Sequence, residues 1–153
     1  MTRPRALLLA AASIALLSSA APYRAAPALG YRIHERLTVY EAACLETETP
    51  PELLRAIARV ESGECDSAVG DGGESIGRFQ IREVFRAERV AKFGEYDPRS
   101  AREAGHVAAR ILEEAFRALG DWDLAIAAYR QGVAGVRRDG AAEWYVERVR
   151  RQM

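Results

Sequence analysis

A glutamate near the end of a predicted helix is the residue of this sequence best placed to do chemistry. Glu61 follows Ile57 by four positions and Leu54 by seven, so the three side chains share one helix face. Burial on an apolar face disfavours the charged carboxylate and raises its pKa. A carboxyl group that stays protonated near neutral pH can protonate a leaving oxygen, which makes Glu61 a candidate general acid. On helix position alone, an exposed and inert glutamate at a fraying helix end fits better.

Further carboxylates follow in a glycine-rich segment, and some of them bear on the reaction that Glu61 could serve. Residues 63–77 contain five glycines together with Asp66, Asp71 and Glu74. Hydrolysis of a glycosidic bond usually needs a second carboxyl group, which activates a water or acts as a nucleophile. Asp71, flanked by glycines, is typical of a turn, and Glu74 is typical of a solvated loop. Either side chain could instead supply the second carboxyl group at a cleft.

The elements that must position Glu61 are predicted to be helices. Apolar residues recur at helical spacing through residues 33–45, which predicts a first helix. Thr49 is predicted to cap a second helix, with Glu52 completing a capping box, and this helix runs to about Ser62. The glycine-rich segment that follows predicts a loop or a small hairpin.

The rest of the chain is also predicted to be helical, and no strong alternating strand pattern interrupts it. Ser100 and Glu103 repeat the capping-box pattern at the start of the longest helix, which Gly120 ends. The predicted helices after the loop cover residues 81–93, 100–119, 122–131 and 141–151. The fold class predicted from these patterns is mainly α, a compact helical domain with the glycine-rich loop or hairpin after its second helix.

Two later motifs make Glu61 more informative than its position alone. The Glu-Ser pair at residues 61–62 is followed by Gly-Arg-Phe-Gln at 77–80 and by Ala-Tyr-Arg-Gln-Gly at 128–132. Their order and spacing resemble the soluble lytic transglycosylase (SLT) domain family, a relative of goose-type lysozyme, which reads E-S, then G-[LI]-[MF]-Q, then A-Y-N-x-G. The resemblance extends over about residues 50–149. It implies a lysozyme-like α+β variant of the mainly α fold.

The resemblance also implies a role for each matching residue. Glu61 corresponds to the single catalytic acid and base, and Tyr129 to a tyrosine that approaches this carboxyl group and helps to position it. Ser62 corresponds to a serine at the cleft, while Gly77 and Gln80 correspond to the strip that lines the sugar-binding groove. The implied substrate-binding residues are Ser62, Ser75, Gly77, Gln80, Tyr129, Arg130 and Gln131.

Two positions depart from the family pattern. Arg130 stands where the family has asparagine, and Arg78 stands where it has a hydrophobic residue. Arginine cannot accept a hydrogen bond, so an acceptor role of that asparagine is lost here or passes to Gln131.

The implied activity is cleavage of the β-1,4 bond between N-acetylmuramic acid and N-acetylglucosamine in peptidoglycan, with no cofactor and no metal. Glu61 protonates the glycosidic oxygen and then takes a proton from the muramic acid 6-hydroxyl, which yields a 1,6-anhydro product. Two alternatives stay open. One is a goose-type hydrolase that uses Asp71 or Glu74 as second carboxyl group. The other is a non-catalytic module that binds glycan strands within an envelope-spanning machine or secretion apparatus.

The N-terminus has the layout of a secretory signal peptide. Residues 1–21 combine two arginines, an apolar run and small residues at a possible cleavage site. Residues 22–32 are predicted to be a linker, and residues 33–153 the lysozyme-like domain. We therefore expect a periplasmic or secreted protein that meets the membrane only through an uncleaved signal peptide. The formal net charge is zero, which gives no long-range field that would attract nucleic acid.

Two cysteines remain, and export would allow them to form a disulfide. Cys44 and Cys65 are predicted to flank the second helix, whose length would hold them apart unless the first helix runs back alongside it. The alternative is a pair of separate buried thiols. A metal site that combines them with His34 and His106 has no recognisable ligand spacing.

Overall fold

The computed structural model describes residues 37–153, which form a mainly helical domain with one small sheet. The predicted fold class is therefore confirmed. The predicted signal peptide and linker lie outside the described residues. The helices are α1 (Val39–Cys44), α2 (Pro51–Ser62), α3 (Arg86–Phe93), α4 (Ala101–Leu119), α5 (Trp122–Asp139) and α6 (Glu143–Arg150). The strands are β1 (Val69–Gly70), β2 (Ser75–Ile76) and β3 (Ile81–Arg82).

The core lies among α1, α2, α4 and α5, and it fixes the face on which Glu61 sits. Leu54 and Ile57 of α2 are completely buried, as are Leu112 of α4 and Ile126 of α5. Each such side chain contributes about 1.5–3 kcal/mol through burial. The side chain of Glu61 continues this buried face of α2, one turn beyond Ile57.

The glycine-rich segment folds into the small antiparallel sheet that immediately follows α2. Gly63 ends the helix in the left-handed conformation, with φ of 65°, two residues after Glu61. Strand β2 lies in the centre of the sheet and places Ile76 opposite both Val69 of β1 and Ile81 of β3. The predicted hairpin is thus present, extended by a third strand.

Helix α2 begins differently from the prediction. Its N-cap is Pro50, with no side-chain cap, and the predicted capping box of Thr49 and Glu52 is wrong. Thr49 is buried against α4, and its hydroxyl donates to the carbonyl oxygen of Ala109 at 2.8 Å. A buried hydroxyl must find a partner where it lies, and here that partner belongs to a neighbouring helix.

A complete capping box occurs instead at the start of α1. The hydroxyl of Thr38 accepts from the N–H of Glu41 at 3.2 Å, and the carboxylate of Glu41 accepts from the N–H of Thr38 at 2.7 Å. This box starts the helix later than residue 33, and residues 33–36 lie outside the described part. At α4 only half of the predicted box forms, because Ser100 caps Glu103 but Glu103 accepts from the N–H of Asp97 at 2.8 Å.

Two other predicted helices have different bounds. The range 81–93 contains β3 and a 3₁₀ turn over Glu83–Phe85 before α3 begins, because Ile81 pairs with β2 and is only 2% exposed. The helix predicted over 122–131 continues to Asp139 through a break at Gly132, where φ is 75° and ψ is 157°. None of the described helices is both long and apolar enough to span a membrane.

The two cysteines are both free thiols in the structure, so the disulfide considered above is not formed. Cys44 is buried at the end of α1, and burial raises the pKa of its thiol to about 11. Cys65 is exposed in the turn after α2, which corrects the expectation that both thiols would be buried.

Candidate active site

A cleft of about 350 Å³ opens where the end of α2, the small sheet, α5 and α6 meet. It brings together residues that lie far apart in sequence. They come from the end of α2, from the glycine-rich segment and from the motifs at residues 77–80 and 128–132. The lining residues are Val60, Glu61, Asp71, Ser75, Gln80, Arg82, Tyr129, Arg130, Trp144, Tyr145 and Arg148. Within residues 37–153, no cluster of three or more His, Cys, Asp or Glu side chains could hold a metal ion.

Glu61 is the most deeply placed carboxyl group of this cleft. Burial raises the pKa of its carboxyl group above the ordinary value. A hydrogen bond from the hydroxyl of Tyr145 to Oε1 opposes this shift, as do the charges of Arg130 and Arg148, while Asp71 reinforces it. Because desolvation is the largest of these effects, Glu61 keeps its proton to a higher pH than an exposed glutamate.

Tyr145 is the hydrogen-bond partner of Glu61, and it lies outside every motif identified in the sequence. Its side chain is only 2% exposed, and the ring of Trp144 meets it edge-on at 5.7 Å between centroids. Burial and the nearby Glu61 carboxyl group raise the pKa of its hydroxyl, so it remains a neutral donor. The three motifs end at residue 132, before α6 begins, so none of them includes Tyr145.

Tyr129 lies in the same cleft but makes a different hydrogen bond from the one its implied role suggests. Its hydroxyl donates to the carbonyl oxygen of Phe79 at 2.9 Å, and not to Glu61. Burial raises the pKa of this hydroxyl, so it too stays neutral. Tyr129 therefore ties α5 to the turn that carries Gln80, while Tyr145 holds the carboxyl group itself.

Gln80 and Gly77 form one tight turn, of which only Gln80 faces the cleft. The side-chain amide of Gln80 donates to the carbonyl oxygen of Gly77 at 2.9 Å. Gly77 has a φ of 79°, and a Cβ atom there would lie 1.9 Å from the carbonyl oxygen of Pro98. Gly77 thus packs against the chain before α4 and does not line the groove. A Cβ atom at Gly70 would meet Oε1 of Gln80 at 2.3 Å, so Gly70 leaves room for that amide.

The two predicted serines organise the loop at different places. The hydroxyl of Ser62 donates to the carbonyl oxygen of Arg78 at 2.7 Å and accepts from the N–H of Cys65 at 3.0 Å, away from the cleft. Ser75 is buried at the cleft, and its hydroxyl donates to Asp71 at 2.6 Å. Ser62 therefore holds the sheet turn against α2, and Ser75 holds Asp71.

The two candidates for a second carboxyl group separate clearly. Asp71 lines the cleft, is exposed to solvent, and adopts a left-handed φ of 50° that the hydroxyl of Ser75 supports. Glu74 forms an ion pair with Arg82 at 2.8 Å, with both side chains about half exposed, and does not line the cleft. Only Asp71 shares a cavity with Glu61.

The two departures from the family pattern also differ in location. Arg78 turns away from the cleft to Asp66, at 2.7 Å, and to the hydroxyl of Tyr40, at 2.9 Å. Arg130 faces the cleft, with its guanidinium carbon 5.2 Å from the centroid of the Trp144 ring. Arg78 forms an ion pair within the loop, whereas Arg130 places a positive charge at the cleft.

Gln131, the last of the implied substrate-binding residues, does not reach Glu61. Its amide donates to the carbonyl oxygen of Gly140 at 2.7 Å, which bridges the break in α5 to the start of α6. It lines two neighbouring cavities beside Arg130, of about 250 and 560 Å³.

A family model for the transglycosylase SLT domain matches residues 39–146. This match covers most of the chain, so the chain belongs to the transglycosylase SLT domain family. The resemblance inferred from the three motifs is confirmed. At the level of the family, the function is of the lytic transglycosylase type, with peptidoglycan as substrate. Comparison with curated proteins and with solved structures gave no match.

Proposed function

We propose that this protein is a lytic transglycosylase that cleaves the β-1,4 bond between N-acetylmuramic acid and N-acetylglucosamine, with Glu61 as its single acid and base. The observation that carries this proposal is the position of the Glu61 carboxyl group and its shift toward the protonated form. It faces an open cleft, burial raises its pKa, and one of its oxygens is held by Tyr145. A protonated and fixed carboxylic acid is what departure of a sugar oxygen requires.

In the first step Glu61 gives its proton to the glycosidic oxygen as the bond to the anomeric carbon breaks. Tyr145 occupies Oε1, which leaves Oε2 available to face that oxygen. The positive charge that develops on the muramic acid ring can be relieved by the substrate's own acetamido group. The Arg130 and Arg148 charges then stabilise the carboxylate that Glu61 becomes.

In the second step the Glu61 carboxylate takes the proton of the muramic acid 6-hydroxyl. The freed oxygen bonds to the anomeric carbon and closes the 1,6-anhydro ring, which returns Glu61 to its acid form. No water is consumed and no enzyme nucleophile is needed, so one carboxyl group is sufficient. The donor Tyr145 favours the carboxylate in this step, because a hydrogen bond to the charged form is stronger than one to the neutral form.

A second candidate function is hydrolysis, and the position of Asp71 is the observation that favours it. Asp71 is exposed in the same cleft as Glu61, so it could hold a water for attack on the sugar. The variant Asp71→Asn separates the two functions. Under the lyase proposal it still yields anhydro ends, whereas under hydrolysis it loses most of its turnover.

The variant Glu61→Gln tests the proposal at its centre. The amide keeps the shape of the side chain but cannot donate a proton at the reacting oxygen, so we expect clearing of purified sacculi to be lost while binding to glycan strands remains. If the unmutated protein binds sacculi and releases no product, the function is that of a binding module. Its partner would then be an envelope-spanning machine or secretion apparatus.

We further propose that the protein acts in the periplasm or outside the cell, as a domain that begins near residue 33. This rests on the signal-peptide layout of residues 1–21 and on a substrate found in the cell wall. The mass of the protein recovered from the envelope fraction tests it. Loss of about the first 21 residues supports export with cleavage, and a full-length protein confined to the cytoplasm contradicts it.

A further inference from the structure

The cleft contains two arginines whose charges are not neutralised by an ion pair. Neither Arg130 nor Arg148 forms an ion pair with a carboxylate of residues 37–153. Arg82, the third arginine of the cleft, is already paired with Glu74. Most other arginines of the described part have an acidic partner. Within this part Arg130 and Arg148 have none, and both lie in the cleft.

The carboxyl groups that line the cleft do not balance these two charges. Burial holds Glu61 toward its neutral form, and Asp71 is the one other carboxyl group among the described lining residues. Asp71 is already bound by the hydroxyl of Ser75 at 2.6 Å. A chain with no formal net charge therefore presents a locally positive cleft.

Both arginines are held in place by uncharged partners. The guanidinium of Arg130 lies over the rings of Trp144 and Tyr145, at 5.2 and 6.0 Å from their centroids. Such packing uses the face of the guanidinium plane and leaves its N–H edge for a ligand. Arg148 lies one helical turn after Trp144, and its terminal nitrogen is 3.5 Å from the carbonyl oxygen of Val60, next to Glu61.

We propose that Arg130 and Arg148 bind a carboxylate that the substrate carries on its muramic acid branch, and that they make this protein selective for carboxylate-bearing strands. The proposal rests on the proposed function for the identity of the glycan, but not on the chemistry of Glu61. The sugar rings themselves are neutral. A carboxylate can come from the stem peptide or, where the peptide has been removed, from the lactyl group left on the sugar.

The test measures binding in a Glu61→Gln background, where no turnover interferes. Three forms of the same strands serve as ligands: peptide-bearing strands, strands stripped of peptide by an amidase, and peptide-bearing strands whose carboxylates are converted to methylamides. We expect Arg130→Gln to weaken binding of peptide-bearing strands about tenfold, the size of one lost charge-assisted hydrogen bond. It should leave binding of the neutralised strands unchanged, and Arg148→Gln should behave in the same way.

Arg130→Lys should recover only part of the loss, because lysine keeps the charge without the planar fork. Arg102→Gln is the matched control, since Arg102 is exposed and does not line the cleft. A loss confined to peptide-bearing strands assigns the carboxylate to the stem peptide. A loss confined to stripped strands assigns it to the lactyl group, and losses on both kinds of strand show that the site accepts either carboxylate. Equal weakening on neutralised strands, or no weakening on any, overturns the proposal.

The experiment also distinguishes failure of this inference from failure of the proposed function. If the unmutated protein releases no anhydro ends but Arg130→Gln still discriminates between charged and neutralised strands, lysis fails and carboxylate recognition stands. If anhydro ends appear while Arg130→Gln binds all three ligands like its parent, only the present inference fails.

Discussion

The chemistry of the site depends on the protonation of Glu61. Some of its surroundings raise the pKa of this carboxyl group and others lower it. Burial favours the acid form of Glu61, whereas Tyr145, Arg130 and Arg148 favour the carboxylate. An acid that also has to act as a base needs a pKa that is neither very high nor very low. The donor and the two cations limit the rise in pKa that burial alone would produce.

Tyr145→Phe tests the role of the hydrogen bond to Glu61. Loss of this donor removes an interaction that favours the carboxylate, so the pKa of Glu61 rises and the alkaline decline in activity moves to higher pH. The maximum rate should fall about tenfold, because the carboxyl group loses its fixed orientation. The measurement is the pH dependence of sacculus clearing. Tyr129→Phe is the matched control and should leave the alkaline limb in place, and a shift toward lower pH in Tyr145→Phe contradicts this role.

Glu61→Gln should also change how stability depends on pH. The folded-state pKa of Glu61 lies above its unfolded value, so its contribution to stability is complete below the unfolded pKa and is lost as pH rises through the folded pKa. Glutamine does not titrate, and the variant should therefore gain stability relative to the unmutated protein as pH increases. Thermal unfolding at acidic and at mildly alkaline pH checks this. The same difference in Tm at both pH values would show that Glu61 is not desolvated.

At this scale the sequence predicted the buried position of Glu61 well and its surroundings only in part. The apolar positions of α2 place Glu61 on the buried face, and one helix is enough to infer that. Tyr145 could not be inferred, because its contact with Glu61 depends on how α6 packs against α2. The direction of Arg130 likewise depends on the ring of Trp144, which α6 supplies.

Among the elements, the turn between β2 and β3 has the strictest requirements. Gly77→Ala should destabilise the protein by about 2 kcal/mol or more, because its Cβ would collide with the carbonyl oxygen of Pro98 at a left-handed φ. Gly120→Ala is the matched control, since Gly120 is also left-handed, with φ of 76°, but has open space around it, and should lose only about 1 kcal/mol. Urea unfolding measures both. Equal losses would show that the contact with Pro98 is not rigid.

Element bounds were predictable where caps and glycines act locally and not where tertiary pairing decides. Gly63 ends α2 and Gly120 ends α4 as expected, both in the left-handed conformation. Ile81 has the spacing of an amphipathic helix, yet it pairs with Ile76 because β2 offers it a partner and burial. Thr49 resembles an N-cap and serves a neighbouring helix instead.

For the whole molecule, the two thiols provide a check on how the helices pack. Cys44 is buried with a pKa raised to about 11, whereas Cys65 is exposed, so one thiol should react with iodoacetamide in the native protein and two after denaturation. Cys65→Ser should leave no reactive thiol in the native state. Protein that shows no reactive thiol in denaturant until it is reduced would instead contain a disulfide, and α1 would have to pack differently against α2.

The mass of the glycan ends released from purified sacculi tests the central claim most directly. We expect 1,6-anhydromuramic acid ends, which are lighter than reducing ends by one water, and we expect Glu61→Gln to release none. Anhydro ends should persist in Asp71→Asn, because no water has to be held. Reducing ends alone from the unmutated protein would exclude the lyase reaction and make Asp71 the partner of Glu61 in hydrolysis.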